Sequence, residues 1–144
     1  MDLPFKRLDP VGQLPVAQHP GDAGLDLRSS IDIVVAPGER AMVPTGVAVA
    51  IPDGHAGLVL PRSGLASRQG LTLANAPGLI DSGYRGEVIC AVVNLDRAES
   101  VSISRGDRIA QLVIVALPTV APGWVEELPG SKRGDGGFGS TGSR

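Results

Sequence analysis

A chain of 144 residues is about one domain long and can bury a real core, and its 20 glycines, 12 prolines and 3% aromatic content point to a turn-rich all-β fold. A net charge of −2 excludes a global attraction to nucleic acid or to an anionic membrane, so any phosphate binding has to be local. The lone cysteine, Cys90, excludes an intrachain disulfide.

Leu3 to Leu8 reads as an edge strand that tolerates Pro4, and residues 10 to 24 read as a loop. In Ala23-Gly-Leu-Asp-Leu-Arg-Ser-Ser30, leucines flank Asp26; if they face the core, Asp26 faces a surface or a cleft. It is either a solvated strand aspartate or a group that orients metal-bound water. Ile31, Ile33 and Val35 alternate as in a strand. After the turn at Pro37-Gly38, Ala41–Val43 and Val47–Ile51 form two short β-rich runs hinged at Pro44-Thr-Gly46. Pro52-Asp-Gly54 is the next turn, and Gly57 to Leu60 is a strand ending at Pro61.

Ser63 to Arg68 is the best helix candidate, with Ser63 as its cap and Gly70 as its stop. In Pro61-Arg-Ser-Gly-Leu-Ala-Ser67, Arg62 offers a charged fork, Ser63 a hydroxyl, and Gly64 room for close approach at a helix start. That suits a phosphate site; the alternative is a capped surface helix. There is no P-loop sequence. Leu71–Leu73 returns to strand.

Asn75-Ala-Pro-Gly-Leu-Ile-Asp-Ser-Gly-Tyr-Arg-Gly-Glu87 sets Asp81 between Ile80 and Tyr84 on a glycine-broken turn. Asp81 is a candidate general base, or else the capping residue of a plain β-hairpin. Val88 to Val93 and Ile109 to Val115 read as strands buried on both faces, the second carrying Gln111, and Val101 to Ile103 alternates between them. Gln111 is either a core amide bonded to backbone or a donor aimed at a ligand oxygen. Trp124 and Val125 suggest a last short strand. Strands every 8 to 12 residues suggest a sandwich, jelly roll or barrel.

From Ser131 onward the chain is glycine-rich and cannot build a core. It is either a solvated terminus or a flap in which Arg133, Ser140 and Thr141 hold phosphates while Phe138 stacks on a base. There is no apolar leader and no apolar run near ~18 residues, so a soluble, cytoplasmic protein is expected. His19, His55 and Cys90 are too few and scattered for zinc, which argues against a zinc-dependent deaminase.

Five segments in order, AGLDLRSS, PRSGLAS, NAPGLIDSGYRGE, RGDRIAQLV and RGDGGFGSTG, resemble the trimeric dUTP pyrophosphatases (dUTPases) over nearly the whole chain. The resemblance implies an all-β jelly-roll subunit with one short helix, assembled as a homotrimer with active sites shared between subunits. It implies a jelly-roll domain over 1–130 and a flexible arm over 131–144 that closes over the site. The implied activity is Mg²⁺-dependent hydrolysis of dUTP to dUMP and pyrophosphate.

By that resemblance Asp81 activates the attacking water, Tyr84 underlies the deoxyribose and leaves no room for a 2′-hydroxyl, and Ile80 touches the sugar. Asn75, Gly78, Leu79 and the backbone on to about Ile89 read the uracil. Arg62, Ser63, Gly64 and Gln111 contact phosphates, and Asp26 meets Mg²⁺ through water. Arg133, Phe138, Gly139, Ser140 and Thr141 belong to the arm. Competing expectations are a dCTP deaminase or bifunctional deaminase-dUTPase on the same fold, and a nucleotide-binding regulator without catalysis.

Overall fold

A computed structural model describes residues 1–137, so Phe138, Gly139, Ser140 and Thr141 lie outside the described residues. The chain builds its core from alternation: strands that expose one face send the other inward. The strands are β1 (Phe5–Arg7), β2 (Leu25–Arg28), β3 (Ile33–Val35), β4 (Arg40–Val49), β5 (His55–Pro61), β6 (Leu71–Leu73), β7 (Gly78–Asp81), β8 (Glu87–Asn94), β9 (Val101–Ile103) and β10 (Arg108–Ala116), with one helix, α1 (Ser63–Gln69), after β5. One sheet runs β1-β4-β8-β6, a second β2-β10-β5-β7, and β3 pairs with β9; every pairing is antiparallel.

Inward residues from all three sheets meet in a single apolar cluster, with Leu27, Val43, Val92 and Leu112 fully buried within it. Burying each such side chain contributes roughly 1.5–3 kcal/mol relative to exposure. Asn94 is buried too, and its amide donates to the Val35 and Glu99 carbonyls, which ties β8 to the β3–β9 pair.

Several expectations change. The two runs around Pro44 form one strand, β4, irregular between Pro44 and Ala48. Proline is tolerated mid-sheet because its partner Ile89 turns its own N–H and C=O toward β6, so no ladder bond is lost there. Two bonds fix that polarity, since backbone groups alternate sides along a strand: the Ala91 carbonyl accepts from Ala74 N at 2.8 Å on the β6 side, and the Val88 carbonyl accepts from Thr45 Oγ1 at 2.6 Å on the β4 side.

β8 is not buried on both faces; it alternates, and Ile89 is half-exposed. β10 likewise exposes part of one face. Gln111 is partly buried rather than fully so. The helix starts after Arg62 with no side-chain cap, so Ser63 does not cap it, while Gly70 ends it with φ 69° and its N–H on the Ala66 carbonyl. Beyond β10 no strand follows among the described residues, and Trp124 is fully exposed. The stretch between β7 and β8 is no two-stranded hairpin. β7 pairs with β5 and β8 with β4 and β6, so residues 82–86 form a corner that carries the chain from one sheet to the other.

Candidate active site

Two cavities collect the residues singled out above. The first, of 310 Å³, opens between β7 and the first half of β8 and is lined by Asn75, Gly78, Leu79, Ile80, Asp81, Tyr84 and Ile89 among others. The second, of 410 Å³, is lined by Asp26, Arg62, Ser63, Gly64 and Gln111, together with Gln18, Asp22, Ala23 and Gly24. No residue lines both.

The second cavity follows from register. β10 lies between β2 and β5, and Gln111 sits opposite Asp26 on one side and Leu60 on the other. Paired residues point to the same face, so Asp26 and Gln111 stand abreast, with Arg62 just past the end of β5. The Asp26 carboxylate, nearly buried, takes Arg62 Nε on one oxygen and Arg108 Nη1 on the other, each at 3.3 Å. With Asp22 also in the lining, two guanidiniums face two carboxylates, so an anion here would be met by local N–H donors rather than by net charge.

Gln111 Nε2 donates to the Pro61 carbonyl at 3.1 Å, which uses one of its two N–H groups and fixes the amide. A Cβ on Gly24 would lie 3.0 Å from Gln111 Cδ and 3.1 Å from its Cβ, and closer still to Oε1, so the amide occupies space that only glycine leaves. Gly24 was hidden in the sequence inside the segment noted for Asp26. Among the described residues no group of three or more His, Cys, Asp or Glu could hold a metal ion. The described carboxylates lining this cavity, Asp22 and Asp26, are too few for a cage, so a triphosphate would have to supply most of the oxygens around a Mg²⁺ ion.

In the first cavity β7 alternates, with Gly78 and Ile80 inward and Leu79 and Asp81 outward. Ile80 belongs to the core cluster as well as to the cavity wall. The turn after Asp81 is closed by its backbone, whose carbonyl accepts from Tyr84 N at 3.1 Å. The carboxylate itself accepts no hydrogen bond among the described residues, so Asp81 does not cap its own turn and stays exposed at the cavity rim. Tyr84 Oη donates to the Glu87 carbonyl at 2.9 Å. Ile89 lies past the end of the β6 ladder, which leaves its N–H and C=O facing this opening.

Met42, Glu87, Cys90 and Ala91 are also in the lining and were not singled out as site residues in the sequence. Met42 pairs with Ala91 across β4 and β8, a neighbour no sequence period reveals. Burial pushes the Cys90 thiol up to about 12, so it is protonated and inert at neutral pH. Arg133 lines neither cavity; its Nε donates to the Gly136 carbonyl at 2.7 Å in an exposed turn.

The family model for dUTPase matches residues 11–142. Relatives named deoxyuridine 5'-triphosphate nucleotidohydrolase include that of Streptomyces coelicolor, 56% identical with 99% of this chain and 78% of the relative covered. That of Mycolicibacterium gilvum is 53% identical, with 97% and 94% covered. Among solved structures, the Staphylococcus bacteriophage 80alpha dUTPase with dUPNHPP aligns with a TM-score of 0.90 and 34% identity over 98% of both chains. A mutant dUTPase of phage phi11 of S. aureus, described with a structural Mg(II) ion, aligns at 0.84 and 31%, covering 90% of this chain and 100% of that one. These similarities define a hydrolase of nucleotide metabolism built on antiparallel sheets. The chain belongs to the dUTPase family and is a dUTP nucleotidohydrolase.

Proposed function

We propose that the protein hydrolyses dUTP to dUMP and pyrophosphate with Mg²⁺, in active sites each assembled from more than one subunit of a homotrimer of jelly-roll chains. The observation that carries this reading is the separation of the two cavities. Asp81 pairs with Ala56, and Arg62 lies six residues further along the chain of β5. At about 3.4 Å per residue the two stand roughly 20 Å apart in one chain, too far for a general base and a phosphate clamp to meet at one phosphorus. Two chains, each giving one cavity's residues, remove that gap.

In this reading the uracil enters the first cavity. Ile89 offers an N–H and a C=O side by side, the complement of an imide edge, and Asn75, Gly78 and Leu79 frame the opening. Tyr84 and Ile80 cover the sugar. From another subunit Arg62, Ser63, Gly64 and Gln111 bind the phosphate oxygens. A bound Mg²⁺ would neutralise phosphate charge, with Asp26 holding it through water. Asp81 takes a proton from water as the water oxygen bonds to the α-phosphorus; the bond from that phosphorus to the α–β bridging oxygen breaks and pyrophosphate leaves. Residues 131–144 form the arm, bringing Arg133, Phe138, Gly139, Ser140 and Thr141 over the triphosphate. Such an enzyme keeps uracil out of DNA and supplies dUMP for dTMP synthesis.

Pyrophosphate release from dUTP, dTTP, dCTP and UTP, measured side by side with and without Mg²⁺, tests the reading. Strong preference for dUTP with dependence on the metal is expected. Equal turnover of dCTP or UTP, or ammonia release from dCTP, would contradict it.

A further inference from the structure

Tyr84 lines the first cavity beside Ile80 and Asp81, and it reaches back to the Glu87 carbonyl at 2.9 Å. To do so, the ring lies across the backbone at Gly86. A Cβ there would stand 2.6 Å from Tyr84 Cζ and 3.0 Å from Cε2, and closer still to Oη. Every residue other than glycine would place a carbon where the ring now sits. The requirement is local: at Gly83, three residues earlier, an added Cβ meets nothing within 4 Å. It is also not conformational, since Gly86 is absent from the glycines with positive φ.

The far end of the tether is itself fixed. Glu87 Oε1 accepts from Gly46 N at 2.7 Å, where β4 is irregular, and the next carbonyl, that of Val88, accepts from Thr45 Oγ1 at 2.6 Å. The ring is thus pinned to the β4–β8 pair rather than to a loose turn. Its hydroxyl hydrogen is spent on a backbone carbonyl, so the ring face turned to the cavity offers a substrate hydroxyl neither donor nor acceptor.

We propose that Gly86 and Glu87 are positioning residues that set the enzyme's choice between deoxyribose and ribose, by holding the Tyr84 ring in the one place where a 2′-hydroxyl finds no partner. This rests on the assignment of Tyr84 to the sugar. The methyl of Gly86→Ala meets the far end of a side chain that can swing, so the fold survives while the ring moves. An unpartnered hydroxyl is disfavoured by roughly 10²-fold in sites of this kind, and displacing the ring relieves part of that.

The test is the ratio of kcat/KM for dUTP to that for UTP. In Gly86→Ala it is expected to fall by about tenfold or more, while the ratio of dUTP to dCTP stays at the parental value, because the base-facing groups do not move. Glu87→Ala, which frees the Gly46 N–H, lowers the sugar ratio in the same direction, and Glu87→Gln, which keeps an oxygen acceptor for it, restores the ratio. A merely structural role would lower turnover of all nucleotides alike, and an unchanged sugar ratio in Gly86→Ala overturns the proposal. If Gly86→Ala does not fold, Tyr84→Phe carries the same test: it keeps the ring and removes the tether, and an unchanged ratio again overturns the proposal. A parent enzyme that turns over UTP as fast as dUTP would instead refute the assignment of Tyr84 itself.

Discussion

Gly24 gives Gln111 its place. The glycine lies beside β2, the glutamine on β10, and a methyl on the former would overlap the amide of the latter. Gly24→Ala should therefore act as a partial loss of Gln111, lowering kcat/KM for dUTP by about tenfold, the effect of one misplaced positioning contact. In a double-mutant cycle, Gln111→Ala should add little on top of Gly24→Ala. Fully additive effects would show that the two residues act independently.

Asp81→Asn keeps the size of the side chain and removes the proton acceptor. With the carboxylate free at the rim of its cavity, binding of a non-hydrolysable dUTP analogue should be retained while turnover falls by roughly 10² or more. Turnover within a few-fold of the parent would assign the base elsewhere.

Much of the fold was legible before any coordinates. Runs such as Val101–Ile103 and Gly57–Leu60 announce themselves by alternation and bounding turns, and Gly70 marks the helix end because a left-handed residue is needed there. Most of the residues lining the two cavities lay within the segments noted for chemistry, but Gln18, Asp22 and Met42 did not. What stayed hidden depends on neighbours remote in sequence. Nothing in Asp81-Ser-Gly-Tyr-Arg-Gly-Glu87 says that the strands on either side join different sheets. Nor does a lone Pro44 reveal that its missing N–H faces a position where no bond is made. Gly24 and Gly86 read as turn residues, yet each serves to leave room for another side chain. Trp124 and Val125 look like a strand by composition but have no strand partner among the described residues.

Cys90 gives the protein a pH signature. In the folded chain burial raises its thiol from 9.0 to about 12. The unfolded chain ionises first as pH rises, so it holds fewer protons above pH 9 and stability falls there. The contribution is fully present below pH 9 and is lost progressively toward pH 12, with a slope approaching about 1.4 kcal/mol per pH unit. Thermal melts between pH 8 and 11 should show a steeper decline for the parent than for Cys90→Ala. Parallel declines would mean that the thiol ionises equally in both states.

Removing residues 133–144 tests the arm. The truncated protein is expected to keep its fold and oligomeric state and to lose roughly 10² or more in turnover, as when positioned transition-state donors are removed. Full activity after truncation would leave the segment a solvated terminus.

The central claim is that Asp81 of one subunit works with Arg62 and Ser63 of another. Co-expression of two inactive variants, Asp81→Asn and Arg62→Ala, with different affinity tags and purification through both, measures it directly. If each site takes one cavity from each of two subunits, every doubly tagged trimer holds one site of three whose halves are both intact, and about a third of parental specific activity should return. If both halves act within one chain, the mixed oligomers would show no more than the residual activity of the two variants alone, and the shared-site account would be contradicted.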